Sequence, residues 1–84
     1  MNLRYIITYD NGEEDQFFKI ELPDRNNNIA PMQNDILDAV LKKEEIRGYY
    51  REYPNGFNSM KEHYKSIVPT KIRNVEVILS DKLS

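Results

Sequence analysis

The sequence feature that most constrains the fold is the alternation of side chains at the start of the chain. Large apolar side chains occupy every second position of residues 3–9, which is the period of a strand with one buried face. Residues 10–12, Asp-Asn-Gly, follow and tolerate the positive φ that a tight turn requires. Residues 16–22 alternate again, which places Phe18 on the apolar face and Phe17 on the other. The first 22 residues therefore predict a β-hairpin.

Residues 31–43 carry the spacing of an amphipathic helix. Pro31 suits the first turn, where its missing N–H is no loss, and Asp35 and Asp38 favour the N-terminal end of a helix. The preceding residues, 23–30, are rich in asparagine and predict a loop.

Residues 46–53 fit two structures. Apolar and aromatic side chains there continue the helix after a change of phase, whereas Tyr49, Arg51 and Tyr53 fit one face of a short strand. Gly48 weakens the helical interpretation, but we expect a helix. Residues 54–56, Pro-Asn-Gly, then predict a turn.

The last third of the chain predicts one further helix and one strand. Residues 59–62, Ser-Met-Lys-Glu, have the form of a capping box, and Tyr64 and Ile67 follow Met60 at helical spacing, so a short helix is expected over 59–68. Residues 72–79 are rich in β-branched side chains and predict the final strand.

The resulting order is β-β-α-(α)-α-β. It predicts a single α+β domain over residues 1–84, with a small sheet of about three strands and two or three helices packed on one face. The sheet combines the N-terminal hairpin with the C-terminal strand.

Composition removes most catalytic chemistry. The chain of 84 residues has no cysteine, one histidine (His63) and three isolated glycines, so it lacks a thiol nucleophile, a zinc cluster and a phosphate-binding loop. A small domain without disulfides is typical of a reducing compartment, and no apolar run approaches the roughly 18–20 residues of a membrane span. We therefore expect a cytoplasmic protein that is not an enzyme, with no catalytic residues, cofactor, metal or membrane contact.

Most aromatic residues fall between positions 47 and 64, close to arginine. The candidate binding residues of this segment are Arg47, Tyr49, Tyr50, Arg51, Tyr53 and Phe57. Tyrosine and arginine are enriched at interface hot spots. Three interpretations stay open: the rings complete a small core, they bind a protein, or they stack on nucleic-acid bases while basic side chains contact phosphates.

Charge is distributed unevenly along the chain. Residues 1–39 carry eight acidic and three basic side chains, and residues 40–84 carry six and nine. The candidate binding residues of the hairpin are Asp10, Glu13, Glu14 and Asp15. Their spacing is not that of a calcium loop, so a solvated tip is expected. Together with Glu21 and Asp24, these carboxylates form an acidic edge that could also imitate a phosphate backbone. In size and general composition the chain is similar to phage-encoded inhibitors, including some anti-CRISPR proteins and inhibitors of uracil-DNA glycosylase.

The sequence thus favours a small non-enzymatic protein-binding module, such as an inhibitor from a phage or mobile element that blocks a host nucleic-acid enzyme. The alternative is a nucleic-acid-binding protein, which the acidic balance makes less favourable. It would use the basic side chains Lys42, Lys43, Arg47, Arg51, Lys61, Lys65, Lys71 and Arg73. Pairing of two copies through a sheet edge is a further possibility, and an enzyme would need an active site assembled between chains.

Overall fold

The computed structural model describes residues 2–26 and 28–80 of the chain. Within them it contains six strands, one α-helix and two short 3₁₀ turns. The strands are β1 (Asn2–Tyr9), β2 (Glu14–Phe17), β3 (Lys19–Glu21), β4 (Ile46–Glu52), β5 (Lys61–Ile67) and β6 (Ile72–Ser80); the helix α1 is Gln33–Leu41, and the 3₁₀ turns are Phe57–Ser59 and Pro69–Lys71. Residues 1, 27 and 81–84, which the sequence assigns to the same domain, lie outside the described residues, and 27 is part of the predicted asparagine loop.

The strands form two antiparallel sheets of three strands each. Sheet A has the order β2-β1-β6, and sheet B has the order β3-β4-β5. The prediction of one sheet with two or three helices packed on it is therefore wrong, because the described residues contain two sheets and a single α-helix. The element order is β-β-β-α-β-β-β.

The predicted hairpin is confirmed, but its return strand is not continuous. β1 pairs with β2, and the chain then changes sheets at Phe18, whose N–H donates to the carbonyl oxygen of Tyr49 at 2.9 Å while Lys19 is also opposite Tyr49. Two residues opposite one is the arrangement of a β-bulge, which bends the strand and shifts the alternation by one residue. Phe17 is consequently buried and Phe18 half-exposed, the reverse of the sequence-based expectation.

The two helices expected after α1 are wrong, and both segments are strands. β4 replaces the helix predicted at 46–53, and β5 replaces the one predicted at 59–68; they pair in antiparallel register from Ile46 opposite Ile67 to Glu52 opposite Lys61. The Pro-Asn-Gly turn at 54–56 is confirmed as part of the connection between them. Ser59 is not a helix cap: its Oγ accepts from the N–H of Asn55 at 2.8 Å and donates to the carbonyl oxygen of Gly56 at 2.9 Å.

The core lies between the two sheets and α1. Its buried side chains are Tyr5, Ile7, Phe17, Ile20, Leu22, Ile36, Ala39, Ile46, Ile67 and Val75. Phe17 packs directly on Gly48, where a Cβ atom would lie 2.6 Å from the phenyl ring. Gly48 is therefore the position at which sheet B admits a large side chain from sheet A.

The predicted helix is confirmed, but it is shorter than expected. It begins two residues after Pro31 and ends before Lys43. The Asp35 carboxylate accepts the Met32 N–H at 2.9 Å and closes the first turn. At the other end Glu44 N–H donates to the carbonyl oxygen of Ala39, and Lys43 adopts a left-handed φ of 59°. This is a helix ending that usually carries glycine at the left-handed position.

The final strand is also confirmed. β6 pairs with β1 over its full length, and its Val75 side chain is buried against the core. In the part of the chain described here, no helix is long and apolar enough to cross a membrane.

Candidate functional site

The outward face of sheet B brings aromatic and basic side chains together. Successive side chains of β4 point to opposite sides: Ile46 and Gly48 are buried, and Arg47, Tyr49 and Arg51 point away from the core. Residues opposite each other across antiparallel strands share a face, so Tyr64 of β5 lies beside Tyr49, with their ring centroids 6.1 Å apart.

A cation lies over each ring of this face. Lys19 Nζ is 5.1 Å from the centroid of Tyr49, the Arg47 guanidinium is 5.2 Å from that of Tyr64, and the Arg51 guanidinium is 4.0 Å from that of Phe18. These are cation–π distances. We call this surface the cationic–aromatic face, and it consists of Phe18, Lys19, Arg47, Tyr49, Arg51 and Tyr64.

Two carboxylates also lie on the cationic–aromatic face. Glu21 Oε1 is 3.9 Å from Lys19 Nζ, and Glu62 Oε1 is 3.5 Å from Arg51 Nε. The hydrogen bond with Glu21, and to a lesser extent partial burial, raise the pKa of Tyr49, although Arg47 opposes the shift. Tyr49 is therefore a neutral phenol near pH 7, which can both donate and accept a hydrogen bond.

Tyr50, the neighbour of Tyr49, lies on the other side of the sheet. Its ring stacks on His63 at 5.4 Å between centroids and contacts Phe17 at 6.4 Å, so it borders the core. The His63 Nε2 atom is buried, has no hydrogen-bond partner among the described residues and lies 3.7 Å from a carboxylate oxygen of Glu52. Tyr50 is thus separated from Tyr49, the other candidate ring of β4.

Tyr53 and Phe57 lie at the end of the β4–β5 hairpin. Their rings meet edge to face at 5.7 Å, and 91% of the Phe57 residue surface and 47% of that of Tyr53 are exposed. Met60, which is also exposed, follows on the other side of the turn. The end of this hairpin is therefore apolar and exposed to solvent, and it lies beyond the cationic–aromatic face.

The four acidic candidates of the hairpin have different surroundings. Asp10, Glu13 and Glu14 are exposed, whereas Asp15 accepts hydrogen bonds from Tyr9 Oη and Lys65 Nζ, both at 2.6 Å. Partial burial acts to raise the pKa of Asp15, but the hydrogen bonds from Lys65 and Tyr9 outweigh it and lower that pKa. Among the residues described, no three acidic, histidine or cysteine side chains converge as metal ligands would.

A cleft of about 480 Å³ separates the acidic hairpin from the end of β5. Asp10 and Glu13 line the hairpin side, and Lys65, Ser66 and Lys71 line the opposite side. The volume falls within the range of small-molecule sites, but the two walls carry charges of opposite sign and one of the lysines is already bound to Asp15.

Phe18, Lys19 and Tyr64 were not among the site residues predicted from the sequence, although the structure places them beside Arg47, Tyr49 and Arg51. The signal for Tyr64 was available: if 46–52 and 61–67 are strands joined by the turn at 54–56, Tyr64 falls opposite Tyr49. The alternation of residues 16–22 already places Lys19 away from the core, whereas Phe18 reaches this face only because of the bulge, which the alternation does not reveal.

Comparison of the chain with models of protein families, with curated proteins and with solved structures finds no match in any of the three.

Proposed function

We propose that this chain is a non-enzymatic protein-binding module that uses the cationic–aromatic face of sheet B. The observation that carries the proposal is the Tyr49–Tyr64 pair, which stands outside the core with Arg47 and Arg51 beside it. Of the Tyr64 residue surface, 62% is exposed, although burial of such a ring would be favourable. Exposed tyrosines ordered by neighbouring arginines are typical anchors of protein interfaces.

A protein fits this face better than a nucleic acid. Base stacking needs a free ring face, but a cation of this chain already lies over Phe18, Tyr49 and Tyr64. Glu21 and Glu62 would also repel phosphates.

The basic residues that the nucleic-acid alternative needs are partly neutralised. Lys42 Nζ is 3.0 Å from the Asp38 carboxylate, and Lys65 Nζ is 2.6 Å from that of Asp15. Arg51 is paired with Glu62. Three of the eight expected phosphate contacts are therefore directed at carboxylates of the same chain.

An inhibitor that imitates a phosphate backbone would present the acidic hairpin instead. Asp10, Glu13 and Glu14 are exposed there, but Asp15 is held by Lys65 and contributes little free negative charge. The three remaining carboxylates of the hairpin tip support imitation of DNA less well than the cationic–aromatic face supports contact with a protein. A host nucleic-acid enzyme as the partner remains a prediction.

Affinity capture from the source organism tests the proposal, with the purified partner then titrated against variants. Arg47→Ser and Tyr64→Ser should each weaken binding by ~10-fold or more, as loss of a hot-spot residue does. Arg73→Ser, which removes an exposed arginine of β6 in sheet A, is the matched control and should change the dissociation constant less than about twofold. Capture of no stoichiometric protein, or equal binding by all three variants, would contradict the proposal.

A further inference from the structure

The outer edge of β5 presents unpaired main-chain groups. β5 is the last strand of sheet B, and no other strand in the described residues pairs with it on the side away from β4. The Tyr49 carbonyl oxygen accepts from Phe18, so the main chain of Tyr49 is directed at β3. In an antiparallel sheet the residue opposite, Tyr64, must then direct its N–H and carbonyl oxygen away from β4. The same holds for Glu62 and Ser66, two residues to either side.

The other edges are less suited to pairing. β2 has four residues and β3 has three, and the bulge at Phe18 bends the chain between them. β6 is longer, but α1 packs against it and Gln33 Nε2 donates to the carbonyl oxygen of Val75 at 3.0 Å. β5, with seven residues, is therefore the longest edge that the helix leaves open.

The side chains along this edge differ between its two faces. Tyr64 continues the cationic–aromatic face, and most of its residue surface is exposed. The other face carries Lys61, His63 and Lys65 at every second position. Lys65 is bound to Asp15, whereas Lys61 has no ion-pair partner within the described part of the chain.

These charges oppose pairing of β5 with a second copy of itself in the registers on either side of the one centred on Tyr64. Antiparallel pairing through the outward groups aligns even-numbered residues with even-numbered ones. The register centred on Tyr64 places Lys65 opposite His63 of the second copy. The neighbouring registers place Lys65 opposite Lys61 or opposite another Lys65, and like charges directly opposite destabilise a sheet. Lysines on an open edge are a common barrier to self-association.

We propose that the β5 edge accepts an extended acidic segment of the protein partner as an added strand of sheet B. This inference rests on the proposed function and deepens it, because it names what the partner presents. The added strand forms hydrogen bonds with Glu62, Tyr64 and Ser66, places apolar side chains beside Tyr64 and places carboxylates near Lys61. Strand addition supplies affinity through the main chain and selectivity through alternate side chains.

Hydrogen exchange in the free protein tests the orientation of β5 directly. The amides of Lys61, His63 and Lys65 should be protected because they donate to β4. Those of Glu62, Tyr64 and Ser66 should exchange rapidly. Protection of all of these amides would remove the open edge and with it the proposal.

A synthetic peptide tests the pairing itself. The probe has blocked ends, valine at the second, fourth and sixth positions, threonine at the third and fifth, and glutamate at both ends. It should shift and slow the exchange of the Tyr64 and Ser66 amides, and added salt should weaken its binding. The same peptide with lysine in place of glutamate should not bind. Equal binding of both peptides, or binding that leaves these amides unchanged, would overturn the inference.

Proline at position 66 shows whether the main chain of the edge, and not the Ser66 side chain, binds the peptide. Ser66→Pro removes one outward N–H and leaves the ladder to β4 intact, whereas Ser66→Ala keeps that N–H. The proline variant should weaken peptide binding by ~10-fold and the alanine variant by less than about twofold. If Ser66→Pro does not fold, Glu62→Pro and Glu62→Ala provide the same comparison.

The captured partner separates this inference from the proposed function. A partner that loses affinity for Arg47→Ser but binds Ser66→Pro as well as the wild type would refute strand addition and leave the protein-binding face standing. A partner insensitive to Arg47→Ser and Tyr64→Ser would refute the face, while the peptide experiment would still report on the edge. Loss of affinity in Arg47→Ser and Ser66→Pro together supports both.

Discussion

The two sheets share one core but present different chemistry to solvent. The outward residues of sheet A are Arg4, Ile6, Thr8, Glu14, Gln16, Asn74, Glu76 and Ile78, none of which is aromatic. The outward surface of sheet B carries Tyr49 and Tyr64 between arginines. Inside, sheet A buries aliphatic and aromatic side chains, and sheet B buries aliphatic side chains with Tyr50 partly buried beside them. Folding therefore accounts for the inner faces of both sheets, and the rings outside sheet B need another explanation.

The two sheets also differ in how they are covered. α1 packs against β6 of sheet A and lies over one side of the core, whereas β5 of sheet B has an open edge. Two contacts between the sheets can be changed separately: Phe17 of sheet A packs on Gly48 of sheet B, and Asp15 of sheet A binds Lys65 of sheet B. Variants at these points test whether the sheets depend on each other.

The largest effect is expected at Gly48. Gly48→Ala places a methyl group 2.6 Å from the Phe17 ring, which neither strand can avoid without moving. We expect a loss of about 3 kcal/mol in the free energy of unfolding, at the upper end of the usual cost of overpacking. Urea denaturation measures it.

The double variant Phe17→Leu/Gly48→Ala shows whether contact between the sheets is the cause. Leucine removes the planar ring that the methyl group meets, so the alanine should cost less in this background than in the wild type. If the losses in the free energy of unfolding were strictly additive, the cost of Gly48→Ala would come from the conformation of β4 and not from contact with Phe17.

Gly48 also shows why sequence patterns predicted β4 poorly. One inward position of β4 is a glycine, so the apolar alternation that identified β1 is interrupted at the position where Phe17 packs. Since glycine is unfavourable in both helices and strands, only the contact with another strand explains it. That contact spans 31 positions in sequence, from Phe17 to Gly48, and no local pattern records it.

β5 was harder to predict for a different reason. Of its inward side chains only Ile67 is buried, and the other three inward positions carry Lys61, His63 and Lys65. The spacing of apolar residues from Met60 onward then matched a helix by coincidence. By contrast β1, β6 and α1 each carry regularly spaced apolar side chains on one face, and all three were predicted correctly. The elements that form the candidate site are thus those whose apolar pattern is least regular.

The second link between the sheets is expected to contribute less. Asp15→Asn removes the charge that Lys65 contacts at 2.6 Å and retains an oxygen for Tyr9. Because the group is partly exposed, we expect a loss of about 1 kcal/mol in the free energy of unfolding. Glu14→Gln, at the exposed neighbouring carboxylate, is the control and should change stability by less than about 0.5 kcal/mol. A larger effect at Glu14 would point to net charge rather than to the link.

The same link has a defined pH dependence. The pKa of Asp15 is lower in the folded chain, so its contribution is present above the unfolded value of 3.8 and is lost as pH falls through the folded pKa. Burial and then the bond to Asp15 raise the pKa of Tyr9, so its contribution is present below 10.0 and is lost as pH rises above that value. The stability difference between wild type and Asp15→Asn should therefore be constant near pH 7 and shrink in acid. A difference that persists at pH 2 would contradict this account.

A gain in stability is expected where α1 ends. Lys43 holds a left-handed φ of 59°, which is unfavourable for a residue with a Cβ atom. Lys43→Gly should therefore raise the free energy of unfolding by about 0.5–1 kcal/mol. Lys42→Gly is the matched control: Lys42 has a φ of −81° and is paired with Asp38, so glycine there should destabilise the chain. Thermal unfolding would show shifts of opposite sign, and shifts of the same sign would exclude strain at Lys43.

The smallest effect on stability is expected at the cationic–aromatic face, and it decides whether the rings serve folding or binding. Tyr64 is mostly exposed, and its interaction with Arg47 at 5.2 Å contributes about 0.5 kcal/mol, the value of a solvent-exposed cation–π pair. Tyr64→Ser and Arg47→Ser should thus each shift the urea midpoint slightly with an unchanged slope. Tyr50→Ser, whose ring contacts Phe17, provides the contrast and should cost several times more. If Tyr64→Ser were as destabilising as Tyr50→Ser, the outer ring would complete the core, and the difference between the two sheets would no longer indicate a binding surface.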